Sequence, residues 1–240
     1  MQRPQISIIV PVYNAQSTLE KCLSSLINLG SVSAEIVVID GHSTDESLSI
    51  LEKYMEYIQH LIVEPDKGVY EAMNKGIELA AGEWIYFIGA DDFLYNTSVL
   101  AEMISAKGIE KLRIADVEQF NISNSKVPKY YPAAFDQRLV WRNVSHHQGM
   151  LYHRSLFNNK RFDEHLKVLA DYALNLEFYQ AGVKAKLFSG TLAKCAAQGL
   201  SKNFQTSLYA EEWSFKKKQL RGWRKWVHPL WLKAKKVYKA

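Results

Sequence analysis

The sequence predicts an α/β fold, with a mostly parallel central sheet flanked by helices and a C-terminal basic, amphipathic helical tail. Three observations carry this expectation. Four short apolar runs alternate with three segments of helical periodicity in the first part of the chain, the pattern of α/β units around a mainly parallel sheet. The runs end abruptly in polar residues, and the fourth ends in two adjacent carboxylates, Asp91 and Asp92. Residues 213–240 hold ten Lys or Arg and no Asp or Glu, leaving twenty basic against twenty-five acidic residues in the remainder, a net −5.

The first strand is expected at residues 6–10, followed by Pro11-Val12-Tyr13-Asn14. Leu19, Cys22, Leu23 and Leu26 then recur at helical spacing, with Ser17 and Glu20 as a capping box and Gly30 as the stop. Cys22 on that stripe reads as a core residue. A second strand at 35–39 ends at Asp40, and a second helix carries Leu48, Leu51, Met55 and Ile58 on one face, with Ser43 and Glu46 as its capping box. Residues 61–63 form a short third strand broken by Glu64-Pro65-Asp66-Lys67-Gly68, and Tyr70, Met73, Ile77 and Ala80 mark a third helix that stops at Gly82. The fourth strand starts at Trp84 and runs into Gly89-Ala90-Asp91-Asp92. Beyond Gly108 the pattern is coarser: residues 112–120 alternate weakly, His146 and His147 precede a short apolar run, and a helix begins near Asp171 and ends at Gly182.

Right-handed crossovers put the carboxyl ends of parallel strands on one edge, where ligands of such sheets bind. Pro11 to Asn14, Asp40, Asp66 with Lys67, and Asp91 with Asp92 therefore converge on one crevice. Two like charges at a strand end suit a divalent cation between them; a solvated acidic loop is the alternative. The chain has no Gly-x-Gly-x-x-Gly after a strand and no Gly-Lys-Ser/Thr loop, which removes the usual signatures of dinucleotide oxidoreductases and P-loop enzymes. The crevice is acidic, and its natural occupant is a metal-bridged nucleotide diphosphate. Asp171, near a helix N-terminus that favours its ionised form, is a general-base candidate or simply an N-cap. His146 and His147 lack further partners at metal-ligand spacing.

The ordered set Val10-Pro11-Val12-Tyr13-Asn14, Asp40-Gly41-His42-Ser43-Thr44-Asp45, residues 64–76, Gly89-Ala90-Asp91-Asp92, His146-His147-Gln148, Ala170-Asp171-Tyr172-Ala173-Leu174 and Gly199-Leu200-Ser201 resembles the family 2 glycosyltransferases of GT-A fold. It is most similar to bacterial colanic acid and other surface-polysaccharide enzymes, over roughly residues 5–205. The resemblance implies inverting transfer from a nucleotide-diphospho sugar, usually UDP-linked, with Mn²⁺ or Mg²⁺. By position it implies Pro11, Tyr13, Asn14, Asp40, Asp66, Lys67 and Asp91 at the nucleotide sugar, Asp92 as metal ligand, Asp171 as the acceptor-activating base, and His147 and Gln148 at the reaction centre. Gly89, His42 and Gln198 depart from the family pattern; relatives often carry an acidic residue at the first position and glycine at the other two. A sugar-phosphate nucleotidyltransferase would want a basic glycine-rich loop after the first strand, and a non-catalytic module would be expected to lack Asp91, Asp92 or Asp171.

On this reading residues 1–205 form the catalytic domain, with a donor half (1–108) and an acceptor half (109–205), and residues 206–240 the tail. An apolar fraction of 48% supports a packed core, and the two cysteines form no disulfide framework. No run is long enough to span a membrane, and residues 6–10 are too short for a signal-peptide core, so the expected location is cytoplasmic. Leu220, Trp223, Val227, Leu230, Trp231 and Ala234 follow helical spacing among Lys and Arg, and Pro229 is expected to kink or divide that helix. Such a segment fits an anionic membrane surface, at the inner face of the cytoplasmic membrane and beside a lipid-linked saccharide acceptor; packing of its tryptophans onto the body is the alternative. No nucleic-acid-binding module is present.

Overall fold

A computed structural model of the chain describes residues 3–123, 127–197 and 206–239. Among the described residues nine strands form one sheet in the order β3-β2-β1-β4-β8-β6-β9-β5, with β7 (Tyr130–Tyr131) paired to β6. The first half of the chain builds the parallel part. Strands β1 (Ile6–Val12), β2 (Ala34–Asp40), β3 (His60–Val63) and β4 (Trp84–Phe87) run side by side, linked by α1 (Leu19–Ser24), α2 (Ser47–Lys53) and α3 (Val69–Leu79). The expected mostly parallel sheet holds for this half only. Strand β8 (Met150–His153) runs antiparallel to both β4 and β6 (Leu112–Phe120), while β9 (Ala185–Ala196) pairs parallel with β6 and antiparallel with β5 (Phe93–Leu94). The sheet is therefore mixed. This reversal brings the amino end of β8 to the edge where β4 ends, and His147 and Gln148 arrive there with it.

Successive residues of β1 bury on opposite faces. Ile9 joins α3, α5 (Ala170–Gln180) and the aromatic cluster of Phe87, Tyr152 and Phe157, whereas Ile8 and Val10 face α1, α2 and α4 (Thr97–Ser105). Helix α3 lies close against β1 at Gly76, where an added Cβ would stand 2.4 Å from Ile9 Cγ2. Because Ile9 is β-branched and stiff, Gly76→Ala is expected to cost about 1–3 kcal/mol by overpacking. A denaturant midpoint unchanged from the parent would contradict this close approach.

Several local expectations need correction. Helix α1 starts after Thr18 without a side-chain cap, so Ser17 and Glu20 form no capping box. Nor do Ser43 and Glu46 cap α2. Asp45 takes the first amide of that helix, from Ser47, while the Ser43 hydroxyl is drawn to Asp40. Met55 leaves the apolar face of α2 because the chain tightens into a 3₁₀ turn at Met55–Tyr57, exposing 46% of it.

The tail folds as α6 (Thr206–Gln219) and α7 (Trp223–Lys239). The division falls at Gly222, which has φ +61°, and not at Pro229, through which α7 continues. Phe215 and Leu220 enter the main core beside α5, so Leu220 closes α6 and is not part of the later apolar stripe. Buried Lys216 pairs with Glu212 at 2.7 Å and also donates to the Trp141 carbonyl. Lys235 on α7 pairs with the other Glu212 oxygen. Burial pushes the Lys216 ammonium down to about 8 against the pull of Glu212.

Candidate active site

Strands β1 and β4 part company at the site edge. Their last register pair is Ile9 with Phe87, and Pro11, which has no N–H to give a neighbour, lies just beyond it. Pro11 is buried in β1, whereas Tyr13 is 66% exposed and Asn14 turns with φ +48° to accept the Thr44 amide. Asp40, fully buried, spends both oxygens on Ser43, one on its amide at 2.7 Å and one on its hydroxyl at 2.6 Å. Ser43 in turn accepts the Asn14 amide. Asp40 and Ser43 therefore fix the floor of the crevice, and the Asp40 carboxylate is turned into its own loop. Asp66 lies over Gly41, where a Cβ would come within 2.7 Å of its Oδ2, and burial pushes its carboxyl up. The Lys67 side chain points to solvent, 4.0 Å from Glu71. His42 holds φ +67° with an exposed side chain; Gln198 and Gly199-Leu200-Ser201 lie outside the described residues.

The fourth strand end carries the acidic pair. Asp91 Oδ1 and Asp92 Oδ2 lie 2.8 and 3.0 Å from the point a Gly89 Cβ would occupy, so both carboxylates fold over that glycine. Any side chain at position 89 would displace them, which gives this departure from the family pattern a local reason. Burial, joined by the charge of Asp91, raises the Asp92 carboxyl well above the usual range. Asp92 is held on both oxygens, by the Ala196 amide at 2.9 Å and by Gln148 Nε2 at 2.6 Å. Asp91 is exposed and makes no side-chain hydrogen bond to another residue among those described. The donor set is hard oxygen, charge-crowded and open on one side. It fits a small divalent cation held by one or two carboxylates and completed by ligand phosphates, although no cluster of three or more metal-binding side chains occurs among the described residues.

The second centre is Asp171, in the first turn of α5. It is not the N-cap: Leu169 occupies that position and offers no side-chain cap. Instead Asp171 Oδ2 accepts His147 Nδ1–H at 3.0 Å and Oδ1 faces the Tyr70 hydroxyl at 3.1 Å, a hydroxyl that also reaches the Val168 carbonyl. Burial alone would raise this carboxyl, but the hydrogen bond and charge of His147 and the Tyr172 amide outweigh it, leaving it below the ordinary range and ionised. Tyr70, pushed far up by burial and by Asp171, remains a donor.

The adjacent histidines join the two centres. Their rings stack at 5.8 Å; His147 serves Asp171, and His146 Nδ1 hydrogen-bonds Gln148 Oε1, which turns the Gln148 amide nitrogen towards Asp92. Three contributors escaped the sequence reading. Tyr70 looked like one more apolar position of α3, although a buried tyrosine hydroxyl needs a partner. Ser43 looked like a helix cap. Glu211 of α6 accepts the amides of Val168 at 2.8 Å and Leu169 at 2.6 Å, supplying α5 with the N-terminal acceptor its own sequence lacks. Nothing local could have pointed to it.

The family model for glycosyl transferase family 2 matches residues 7–168. The chain belongs to this family. A PGL/p-HBAD biosynthesis glycosyltransferase of Mycobacterium bovis is 34% identical over 184 residues, 75% of this chain and 71% of that protein. Among solved structures, Staphylococcus aureus TarS in complex with UDP-GlcNAc superposes with TM-score 0.66 at 19% identity, over 88% of this chain. The mannosyltransferase PcManGT from Pyrobaculum calidifontis, in complex with GDP-Man and Mn²⁺, gives 0.61 at 19% identity over 99% of this chain. The chain spans 65% of the length of each of these two solved chains. The family 2 glycosyltransferase thus has the GT-A fold and is an enzyme of glycosyl transfer.

Proposed function

We propose that this glycosyltransferase moves a sugar, with inversion, from a UDP-linked donor to a saccharide acceptor. On this reading the donor requires Mn²⁺ or Mg²⁺, the acceptor is lipid-linked, and the reaction contributes to cell-surface polysaccharide at the inner face of the cytoplasmic membrane. The observation that carries the proposal is the hydrogen-bonded chain from Asp92 through Gln148 and His146, stacked on His147 and ending at Asp171. It holds an acidic pair suited to a donor diphosphate and an ionised carboxylate suited to an acceptor hydroxyl in one frame. The donor class also agrees with the UDP-GlcNAc bound by TarS and the metal with the Mn²⁺ bound by PcManGT.

Asp171 accepts the proton of the acceptor hydroxyl as that oxygen forms its bond to the anomeric carbon and the bond to the diphosphate oxygen breaks. A single displacement from the opposite face inverts the centre and needs no enzyme nucleophile. His147 and Tyr70 fix the Asp171 carboxylate, so that its remaining lone pairs are those available to the hydroxyl. Asp92, with Asp91 beside it, would hold the cation, whose chemistry is to offset charge on the departing diphosphate. Tyr13 and Asp66 border the nucleoside, and Asp40 acts by shaping the loop that receives it. Lys67 is positioned to reach the nucleotide from solvent.

The membrane assignment rests on α7. The helix rests on the body through His228, Leu232 and Lys235 and turns Trp223, Trp226, Val227, Leu230 and Val237 outward. An apolar stripe opposite the packing stripe, among Lys and Arg, suits an anionic membrane surface. No helix among the described residues is long and apolar enough to cross a membrane.

A panel of nucleotide sugars with and without Mn²⁺ tests the central claim. A UDP-sugar at a hundred times its Kd should stabilise the protein by about 2.7 kcal/mol in Mn²⁺ and be slowly hydrolysed. Absence of any nucleotide-dependent rise in Tm across the panel would refute it.

A further inference from the structure

Between α5 and the junction of α6 with α7 lies a cleft of about 580 Å³, walled by Ala173 and Glu177 on one side and by Phe215, Lys218, Arg221 and Arg224 on the other. It is not the donor crevice. The α5 residues that line it lie on a different face of the helix from Asp171, which is absent from its walls. Gly222, with φ +61°, turns the chain sharply enough to bring cations from the end of α6, the joint and the first turn of α7 to one wall. Lys218, Arg221 and Arg224 are exposed and take part in no ion pair among the described residues. Arg161, also on the wall, is paired with Glu78. Of the two carboxylates present, Glu177 is paired with Lys160, which leaves Asp163 against three free cations.

The apolar surroundings point to the source of the missing anion. Trp223 is 63% exposed, Trp226 83% and Leu230 66%, and they project from the helix whose first turn supplies Arg224. Basic side chains that grip phosphate oxygens, next to tryptophans that the described residues leave largely exposed, match the headgroup and upper acyl region of a lipid. We propose that this cleft binds the phosphate of an anionic lipid headgroup and so orients the enzyme on the membrane. The proposal rests on the membrane reading of α7 but goes further, because it concentrates the electrostatic attraction in three residues.

Sedimentation with phosphatidylglycerol vesicles, and with phosphatidylcholine vesicles as the neutral comparison, separates the two claims. The parent protein should bind the anionic vesicles, and Arg221→Gln with Arg224→Gln should weaken that binding about 30-fold. Arg221→Lys with Arg224→Lys should retain it to within about threefold. Lys53→Gln with Lys107→Gln removes the same charge from exposed positions elsewhere and should also stay within about threefold. Equal weakening by the Lys53/Lys107 pair overturns the cleft while leaving the membrane reading intact. No preference of the parent protein for anionic vesicles overturns both. Tight saturation of Trp fluorescence by inorganic phosphate, without vesicle binding, would make the ligand a free phosphate and refute the lipid.

Discussion

Asp171→Asn should lower kcat by about 10²–10⁴-fold, the contribution of a positioned general base, while donor affinity stays within about twofold. The split follows from the geometry. Asp171 is held by the Tyr70 hydroxyl, His147 and the Tyr172 amide and bonds to neither Asp91 nor Asp92. Asparagine keeps the shape and one acceptor but has no charge to take up a proton. Near-normal turnover by the folded variant would remove Asp171 from the mechanism. His147→Ala supplies a second reading of the same residue. With His147 in place the Asp171 carboxyl lies below its usual value, so the base is ionised throughout the neutral range and is lost only as pH falls through that depressed value. Without His147, burial is opposed by less, the value rises, and the acid limb of the kcat profile should move to higher pH. An acid limb that stays in place or moves down would show that His147 does not hold the carboxylate ionised.

The first part of the chain was legible because β1, β2 and β4 are buried on both faces and read as apolar runs ending in polar turns, while β3, at the sheet edge, is only partly buried. Asp91, Asp92 and Asp171 could be singled out one at a time, as carboxylates at strand or helix ends. Their relation to one another could not. It depends on β8 running antiparallel to β4, which places Tyr152 opposite Ile85 and delivers His147 and Gln148 to the far end of the pairing. No local pattern encodes the direction of a strand whose neighbour lies more than sixty residues away. Strand β9 also stayed hidden: it mixes Lys186, Ser189, Gly190 and Lys194 with apolar residues, bulges against β6, and shows no clean alternation. The capping boxes failed for a related reason. Ser43 had a stronger partner in a buried carboxylate, a tertiary choice that overrides the local one.

In the tail, the sequence marked an amphipathic helix but not which way it faces. Periodicity alone would pack Trp223, Val227 and Leu230 inward. The inward positions are instead held by His228, Leu232 and the Lys235 pair with buried Glu212; Trp231 also reaches back to donate to the Trp141 carbonyl at 3.1 Å, so the stripe divides and Trp226, Leu230 and Val237 are left outside. Since Glu211, one residue before that buried partner, holds the start of α5, the same helix that anchors the tail also steadies the turn carrying Asp171.

At the acidic pair, Asp92→Asn is expected to remove the Mn²⁺ dependence of donor binding and to lower kcat/KM by about 10²–10³-fold, the scale of a Lewis acid contributing several kcal/mol. A loss of stability should accompany it. Asp92 accepts hydrogens at both oxygens, and an asparagine there must turn its NH₂ towards either the Ala196 amide or Gln148 Nε2, at about 1–3 kcal/mol. Asp91→Asn separates the two effects. Its carboxylate is exposed and makes no side-chain bond to another described residue, so Tm should hold while crowding at Asp92 falls. Titration of both variants with Mn²⁺, followed by donor binding and by Tm, then assigns the ligand. If Asp92→Asn alone abolishes metal-dependent binding, the buried carboxylate holds the cation through the lone pairs its hydrogen bonds leave free. If Asp91→Asn abolishes it at unchanged Tm while Asp92→Asn retains it, the cation belongs to Asp91. Asp92 would then be the group that, with Gln148 and Ala196, fixes the loop on which Asp91 stands.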